Sequence, residues 1–487
     1  MSIATEITRI KNNISSAYDK LQEIGATLPT NKNSNNLTAT IESISGGGGF
    51  GQYDVVQTDV DGGCEIHITD GGTSDKMYYC KAIDYDGTVL KDGWYYAGQE
   101  FELPAFPTHD KLIAQEWSAT SPIVDNKIVV SSDTMAGVIY TTKSGLTEFD
   151  YVINKATGYT VYLNMVGTKN WGDGTTNTLY SHTYSNYGEY TVTCNGTEVV
   201  TNNSDMPITA PELDGDTYNC VAVRCGTNVT RFGDFDWVYD LKYITLSKSI
   251  QTLSGEYSSS SIANSVSNQI ETFIIPNGVT NISGKIKANN IVLPYGILNG
   301  GTIITDSNLV LPSTIQQIGI TAKTVNLPNS LTKITSLSIS GNVDKIDLPN
   351  NLTYITGISV SSAKEINLPN SLTYLGTIKN CSELENLVIP ENIVEITASK
   401  MFDGCRALKK IVFSSNMTLI NYFADIYVDT IYDFSKCNQV CSLNRVPVFN
   451  NRLAKFVVPN NLYEQWITST TWSSISNYIY KASEVSL

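Results

Sequence analysis

The sequence predicts a mainly β chain, with an N-terminal coiled-coil helix, small β-sandwich modules, and a repeat β-solenoid closed by a strand-helix cap. Three observations predict it. An apolar phrase ending in proline recurs at Pro276, Pro294, Pro312, Pro328, Pro349, Pro369 and Pro390, a period of about twenty residues that suits a solenoid. Short apolar runs between Asp/Gly turns begin at Tyr53, as antiparallel strands require. Isoleucines in alternating steps of four and three open the chain, which is the a/d seam of a coiled coil.

That seam consists of Ile3, Ile7, Ile10, Ile14, Ala17, Leu21 and Ile24. Isoleucine at both seam positions favours more than two strands, so residues 1–44 are expected to form a helical oligomerisation and docking segment, a homotrimer first of all. The alternative is an amphipathic helix docked on its own chain, because about three heptads are marginal in isolation. Gly25 and Pro29 end this helix, and Leu37, Ile41 and Ile44 mark a short second one. Residues 45–52 are a glycine-rich linker. They lack the Lys-Ser/Thr that completes a phosphate-binding loop.

Residues 53–134 read as a small antiparallel β domain. Its Asp84-Tyr85-Asp86-Gly87 and Asp59-Val60-Asp61-Gly62 stretches lack the ligand spacing of a calcium loop and are expected to be turns. Residues 135–200 contain Trp171-Gly172-Asp173-Gly174, His182-Thr183-Tyr184 and Gly188 to Val192 in that order. These elements resemble the polycystic-kidney-disease-type (PKD), Ig-like β-sandwich. The resemblance implies a spacer or adhesive module and a structural role for His182. Residues 201–242 are a connecting region without an assigned fold.

In residues 243–420 each repeat has the form apolar-x-x-apolar-x-apolar-Pro, as in Leu384 to Pro390. This gives one short strand, stopped by a proline that cannot donate to the next ladder position. A second apolar set, Leu331 and Ile334 or Leu352 and Ile355, covers the return side of each coil. The stretch Met401 to Phe413 carries a Phe-x-x-Cys-x-x-Leu-x-x-Ile-x-Phe phrase and resembles BspA-like leucine-rich repeats. Earlier repeats lack the Phe and Cys, so their coils should be shorter or narrower. Residues 421–487, with Lys455 to Trp466 and Trp472 to Ile475, resemble the closing strand and helix of such proteins and are expected to cap the core. In repeat families of this kind the strand side is the usual binding surface. Its outward positions here include Lys345, Asp347, Lys364, Glu365, Asn367, Glu385, Asn386, Val388, Lys409 and Lys410. A solvated face without a partner is the alternative for any one of them.

Charge and composition exclude several classes. With 32 basic and 47 acidic side chains the net charge is −15, and no basic cluster suits a phosphate backbone, so no nucleic-acid partner is expected. No apolar run is long enough to span a bilayer, and the chain start has no secretory apolar core. Nine cysteines without a CxxC pair point to free buried thiols rather than zinc or a disulfide framework. No nucleophile elbow, zinc motif or supported catalytic cysteine is present, so no enzyme, cofactor or metal site is expected.

The order of helix, linker, β modules and solenoid fits a stem that displays binding domains. The first segment also resembles N-terminal parts of tail-fibre and other virion appendage proteins from phages of gut bacteria. That resemblance implies a virion structural protein, a tail or head fibre, docked to other tail, baseplate or capsid proteins and attaching to a bacterial surface glycan or protein. A bacterial cell-surface adhesin with leucine-rich repeats is the alternative. A modular glycan-degrading enzyme is a third reading, because paired carboxylates cannot be read from sequence spacing.

Overall fold

A computed structural model describes residues 53–57, 64–68, 76–153, 159–163, 165–200, 218–233, 241–254, 261–262, 270–423, 429–446 and 454–485. The predicted coiled coil with its seam, the linker 45–52 and most of the connecting region lie outside the described residues. What is described is mainly β, with a β-solenoid over the repeat region and little helix. No helix among the described residues is long and apolar enough to cross a membrane.

The described residues divide into two compact units, one of residues 53–57, 64–68, 76–79, 94–101 and 129–132, the other of the described residues in 80–93, 102–128 and 133–485. The first holds the antiparallel pair Tyr53–Gln57 and Cys64–Ile68, with Tyr53 opposite Ile68. Its aromatic side chains pair as Tyr79 with Trp94 and Tyr95 with Phe101, centroids 5.4 and 5.2 Å apart.

In the second unit the fully buried strand Thr134–Thr142 lies between residues 80–83, which pair with it in parallel, and Leu112–Ala119, which pairs antiparallel. Asp84 and Asp86 are used by the turn that follows: Thr88 N–H donates to Asp86 Oδ1 at 3.0 Å, and Gly87 adopts φ +87°. This sheet sits on the first solenoid coils. Ile83, Met135 and Ile139 pack against Ile274 and Val292, and a Cβ on Gly137 would meet Ile274 Cδ1 at 2.7 Å.

The next sheet runs in the order Thr176–Asn177, Lys169–Asn170, Gly188–Cys194, Thr147–Ile153, Tyr218–Arg224 and Tyr243–Thr245. Tyr159–Tyr162 and Ser181–Tyr184 form a separate antiparallel pair, and Phe149, Tyr151, Trp171, Tyr184 and Val192 are buried together. The Trp171-Gly-Asp-Gly turn is locked by its own side chains. Tyr184 hydroxyl donates to the Trp171 carbonyl at 2.7 Å, and His182 Nε2 lies 2.6 Å from Asp173 Oδ2 while its ring stacks on Trp171. Gly172 has φ +83°, and a Cβ there would meet the Thr191 carbonyl oxygen at 2.8 Å. Gly172→Ala is therefore expected to lower stability by about 1–3 kcal/mol; an unchanged denaturant midpoint would contradict this account of the turn.

The sheet does not end at residue 200. Tyr218–Arg224, within the supposed connecting region, pairs antiparallel with Thr147–Ile153 on one edge and in parallel with Tyr243–Thr245 on the other. One strand thus converts an antiparallel sheet into a parallel solenoid. A parallel ladder of Glu198–Val200, Arg231–Gly233, Thr252–Ser254 and Ile282–Ser283 runs alongside.

The solenoid differs from expectation in a second way. The coils from Pro312 to Pro369 carry a long strand after the proline as well as a short one before it, whereas after Pro390 the second strand shrinks to Glu395–Ile396. The long strands Lys285–Val292, Asn299–Ile304, Gln317–Ala322, Lys333–Ile339, Tyr354–Val360 and Tyr374–Ile378 form one parallel sheet. The short strands Lys345–Asp347, Glu365–Asn367, Asn386–Val388, Lys410–Val412, Ile431–Asp433, Lys455–Val458 and Ile479–Lys481 form another. The ladder continues past residue 420, so array and cap overlap. Proline also opens a tight turn that returns the chain to the core. The Leu331, Leu352 and Leu372 N–H groups donate to the Pro328, Pro349 and Pro369 carbonyls at 3.0–3.1 Å, and each leucine is fully buried.

Hydroxyl side chains tie each coil to the one before. Thr332 Oγ1 donates to the Gln316 carbonyl 16 residues back, Thr353 to Thr332 21 back, and Thr418 to Val394 24 back. The coil therefore lengthens along the array, in keeping with the missing Phe and Cys of the early repeats. The last coils are closed by the helix Tyr463–Thr468 and the 3-10 segment Ser473–Tyr478.

Candidate functional site

Alternation along a short strand turns the middle residue inward and its neighbours outward. Ile346, Ile366, Leu387 and Ile411 are accordingly buried. Lys345 and Asp347, Glu365 and Asn367, and Asn386 and Val388 are exposed, with Lys410 half-buried. Lys364, Glu385 and Lys409 stand exposed just before their strands. All ten predicted binding-face residues thus lie on or beside one sheet.

Their charges, however, are already matched. Lys345 Nζ lies 3.4 Å from Asp347 and 3.3 Å from Glu365; Lys364 lies 3.0 Å from Asp344, Lys409 2.7 Å from Glu385, and Lys410 3.3 Å from Asp433. Asn367 donates to both Asp347 and Glu365, at 2.7 and 2.8 Å. The exposed pairs among them contribute little to stability, because water and salt screen them. What they do is compensate the four lysines of the predicted binding face, Lys345, Lys364, Lys409 and Lys410, whereas Lys455 and Lys481, on the last two strands of the sheet, lie over the Tyr480 and Tyr463 rings. Val388, 62% exposed, is its apolar point.

The outer face of the long sheet is different, and sequence reasoning did not single it out. Its outward positions align in three rows across the coils. The first is Asn299, Gln317, Lys333, Tyr354 and Tyr374. The second includes Lys285, Thr302, Gly319 and Ser336, and the third Lys287, Ile304, Thr321, Ser338 and Ser359. Between them the inward residues Ile286, Ile303, Ile320, Leu337 and Ile358 are buried. The five strands from Asn299 to Ile378 contain no Asp or Glu in a chain that has 47. Tyr354 and Tyr374 stack at 4.3 Å with a 10° interplanar angle, and Lys333 Nζ lies 5.1 Å from the Tyr354 ring centre. Among the described residues Lys285, Lys287 and Lys333 have no carboxylate partner. The face is thus a strip of hydroxyls and glycines, centred on an aromatic pair and carrying uncompensated cations.

The nearest approach to a triad lies elsewhere: buried Asp84 Oδ2 is 2.8 Å from His109 Nε2, which is 3.3 Å from the Tyr140 hydroxyl. Burial, reinforced by Asp84, pushes the Tyr140 phenol far above its ordinary range, so it stays protonated and is no nucleophile. The eight described cysteines are buried and free of disulfides. Burial pushes the Cys80 thiol up to about 11 and Cys437 up to about 12, the opposite of an activated thiolate.

The repeat geometry has a counterpart among known families. The family described as a BspA type Leucine rich repeat region matches residues 316–427 in six copies. The matched BspA-type segment includes the Tyr354–Tyr374 pair and all ten residues of the charged face. A solved structure, the pneumococcal vaccine antigen PcpA, is 15% identical over 59% of this chain and 84% of that one, with a TM-score of 0.34. A likeness that distant transfers no role. No curated protein matches the chain.

Proposed function

We propose that this chain is a non-catalytic surface-recognition protein, an adhesin in kind, that contacts its partner through the outer face of the long solenoid sheet. One observation carries the choice of face: the four lysines of the predicted charged face, Lys345, Lys364, Lys409 and Lys410, are paired with carboxylates within the protein, whereas the long sheet presents a stacked tyrosine pair beside lysines without a carboxylate partner. Burying a face whose charges are already matched gains no charge complementarity from a partner, while tyrosine supplies contact area at low entropic cost. Outward residues aligned in rows from coil to coil then offer many weak contacts to an extended partner. The adhesin reading is better supported than the virion appendage, because it rests on the BspA-type repeats. The virion reading rests on residues 1–44, outside the described residues.

The test is binding of the labelled full-length chain to a panel of intact bacterial and animal cells. The double substitution Tyr354→Ala/Tyr374→Ala is expected to weaken binding at least tenfold, while Lys364→Ala/Lys409→Ala leaves it unchanged. The reverse ranking would move the contact to the charged face. Absence of binding to every cell type would overturn the adhesive reading.

A further inference from the structure

A second site lies where the Leu112–Ala119 sheet meets the first coils. A cleft of about 490 Å³ opens there, within the ~300–1,000 Å³ range of small-molecule sites. Its apolar wall is Phe106, 43% exposed, stacked on buried Trp117 with centroids 5.7 Å apart. Tyr295, 41% exposed, supplies another ring. The polar lining comes from Glu116, Asn126 and Asn277.

These groups are held in place before any ligand arrives. Asn277 Nδ2 donates to Glu116 Oε1 at 3.1 Å and to the Trp117 carbonyl at 2.9 Å, leaving its Oδ1 open. Asn126 sits in a two-residue hairpin turn closed by Val124 and Lys127, with φ of 50° at Asp125 and 62° at Asn126. Its Nδ2 donates to the Leu103 carbonyl at 2.7 Å, so its Oδ1 is likewise available. Tyr295 N–H donates to the Ala119 carbonyl at 2.6 Å. Asn277 and Tyr295 are the residues directly after Pro276 and Pro294, so two successive coils present the same repeat position to the cleft.

The chemistry selects a ligand class. The lining contains no Lys, Arg or His, which argues against phosphate or another anion. Both N–H groups of the Asn277 amide and one of Asn126's are committed within the protein, and what remains is mostly acceptors, Glu116 Oε2 and two amide oxygens, beside exposed rings. A matching ligand has several hydroxyl donors on one side and an apolar C–H face on the other. We propose that this cleft is a saccharide subsite, which takes one neutral pyranose of a glycan with its C–H face on Phe106 or Tyr295 and its hydroxyls donated to Glu116, Asn126 and Asn277.

The test is titration of the full chain with methyl glucopyranoside, methyl galactopyranoside, methyl mannopyranoside and N-acetylglucosamine, followed through the fluorescence of Trp117 beneath Phe106 and by calorimetry. At least one sugar should bind. Phe106→Ala and Tyr295→Ala should each weaken it at least tenfold with the thermal midpoint unchanged, whereas Tyr354→Ala/Tyr374→Ala should have no effect. That last arm separates this site from the solenoid face. Failure of all four sugars, binding insensitive to both ring substitutions, or preference for a trilysine peptide would each overturn the proposal.

Discussion

Trp472→Ala is expected to destabilise the closing end of the solenoid by about 3–5 kcal/mol, the usual cost of removing a buried indole. The ring is fully buried. It packs against Trp466 at 4.8 Å, Phe456 at 5.3 Å and Phe434 at 5.7 Å between centroids. Its Nε1–H also donates to the Cys441 carbonyl, so the substitution leaves a buried acceptor unpaired as well as a void. Stability in a solenoid is a sum of coil and neighbour-interface contributions, so the loss should be local at first. Hydrogen exchange should accelerate in residues 429–446 and 454–458 before it does in Lys333–Ile339, and the denaturant midpoint should fall. Trp472→Phe should recover much of the packing without the hydrogen bond and give an intermediate value. Uniform acceleration along the whole array would refute the nearest-neighbour account.

Arg224→Met is the second large effect, expected at about 3–5 kcal/mol. Arg224 ends the strand that joins the antiparallel sheet to the solenoid, and its guanidinium pairs with Asp150 and lies 3.5 Å from Glu148, all three side chains largely buried. Burial alone would raise the Asp150 pKa, but hydrogen bonds from Arg224 and Thr191 and the charges of Arg224 and Lys111 hold it below the ordinary carboxylate value. A carboxyl lowered in the folded state contributes stability that is present above its unfolded pKa of about 3.9 and is lost as pH falls through the lower folded value. The wild-type chain should therefore lose this contribution below about pH 4. In Arg224→Met, Asp150 keeps only Lys111 as a nearby cation, so its folded pKa rises and acidification relieves the cost of its buried charge. Urea unfolding at neutral and mildly acidic pH should show the gap between variant and wild type narrowing on acidification. A gap independent of pH would show that Arg224 acts by packing alone.

The period, the short strand and the inward leucines were legible because proline and the apolar residues recur at fixed spacing. The long strand was not, for two physical reasons. A bulge between Gln317–Ala322 and Lys333–Ile339 inserts Thr335, so the buried Ile334 and Leu337 stand three apart and break the period of two. Its outward residues are also Gly319, Gly357, Gly376 and several Ser and Thr, which read as turn rather than strand. The neutralisation of the charged face was hidden because partners such as Lys345 and Glu365 lie twenty residues apart and meet only when coils stack. The cleft was invisible for a similar reason, since its walls come from residues as distant as Phe106 and Tyr295. The heptad seam Ile3 to Ile24 is outside the described residues.

The bonds from Ser, Thr and Asn side chains to the preceding coil have a consequence for inheritance. Ser330, Ser371 and Ser414 each donate to a core residue's carbonyl one turn back, at 2.6–2.7 Å, so these coils are registered by the neighbour before them. A duplicated or deleted coil would find the same docking edge on both sides. The number of coils can thus drift between generations without disturbing the ends, and the length of the protein becomes a trait that selection can adjust one unit at a time.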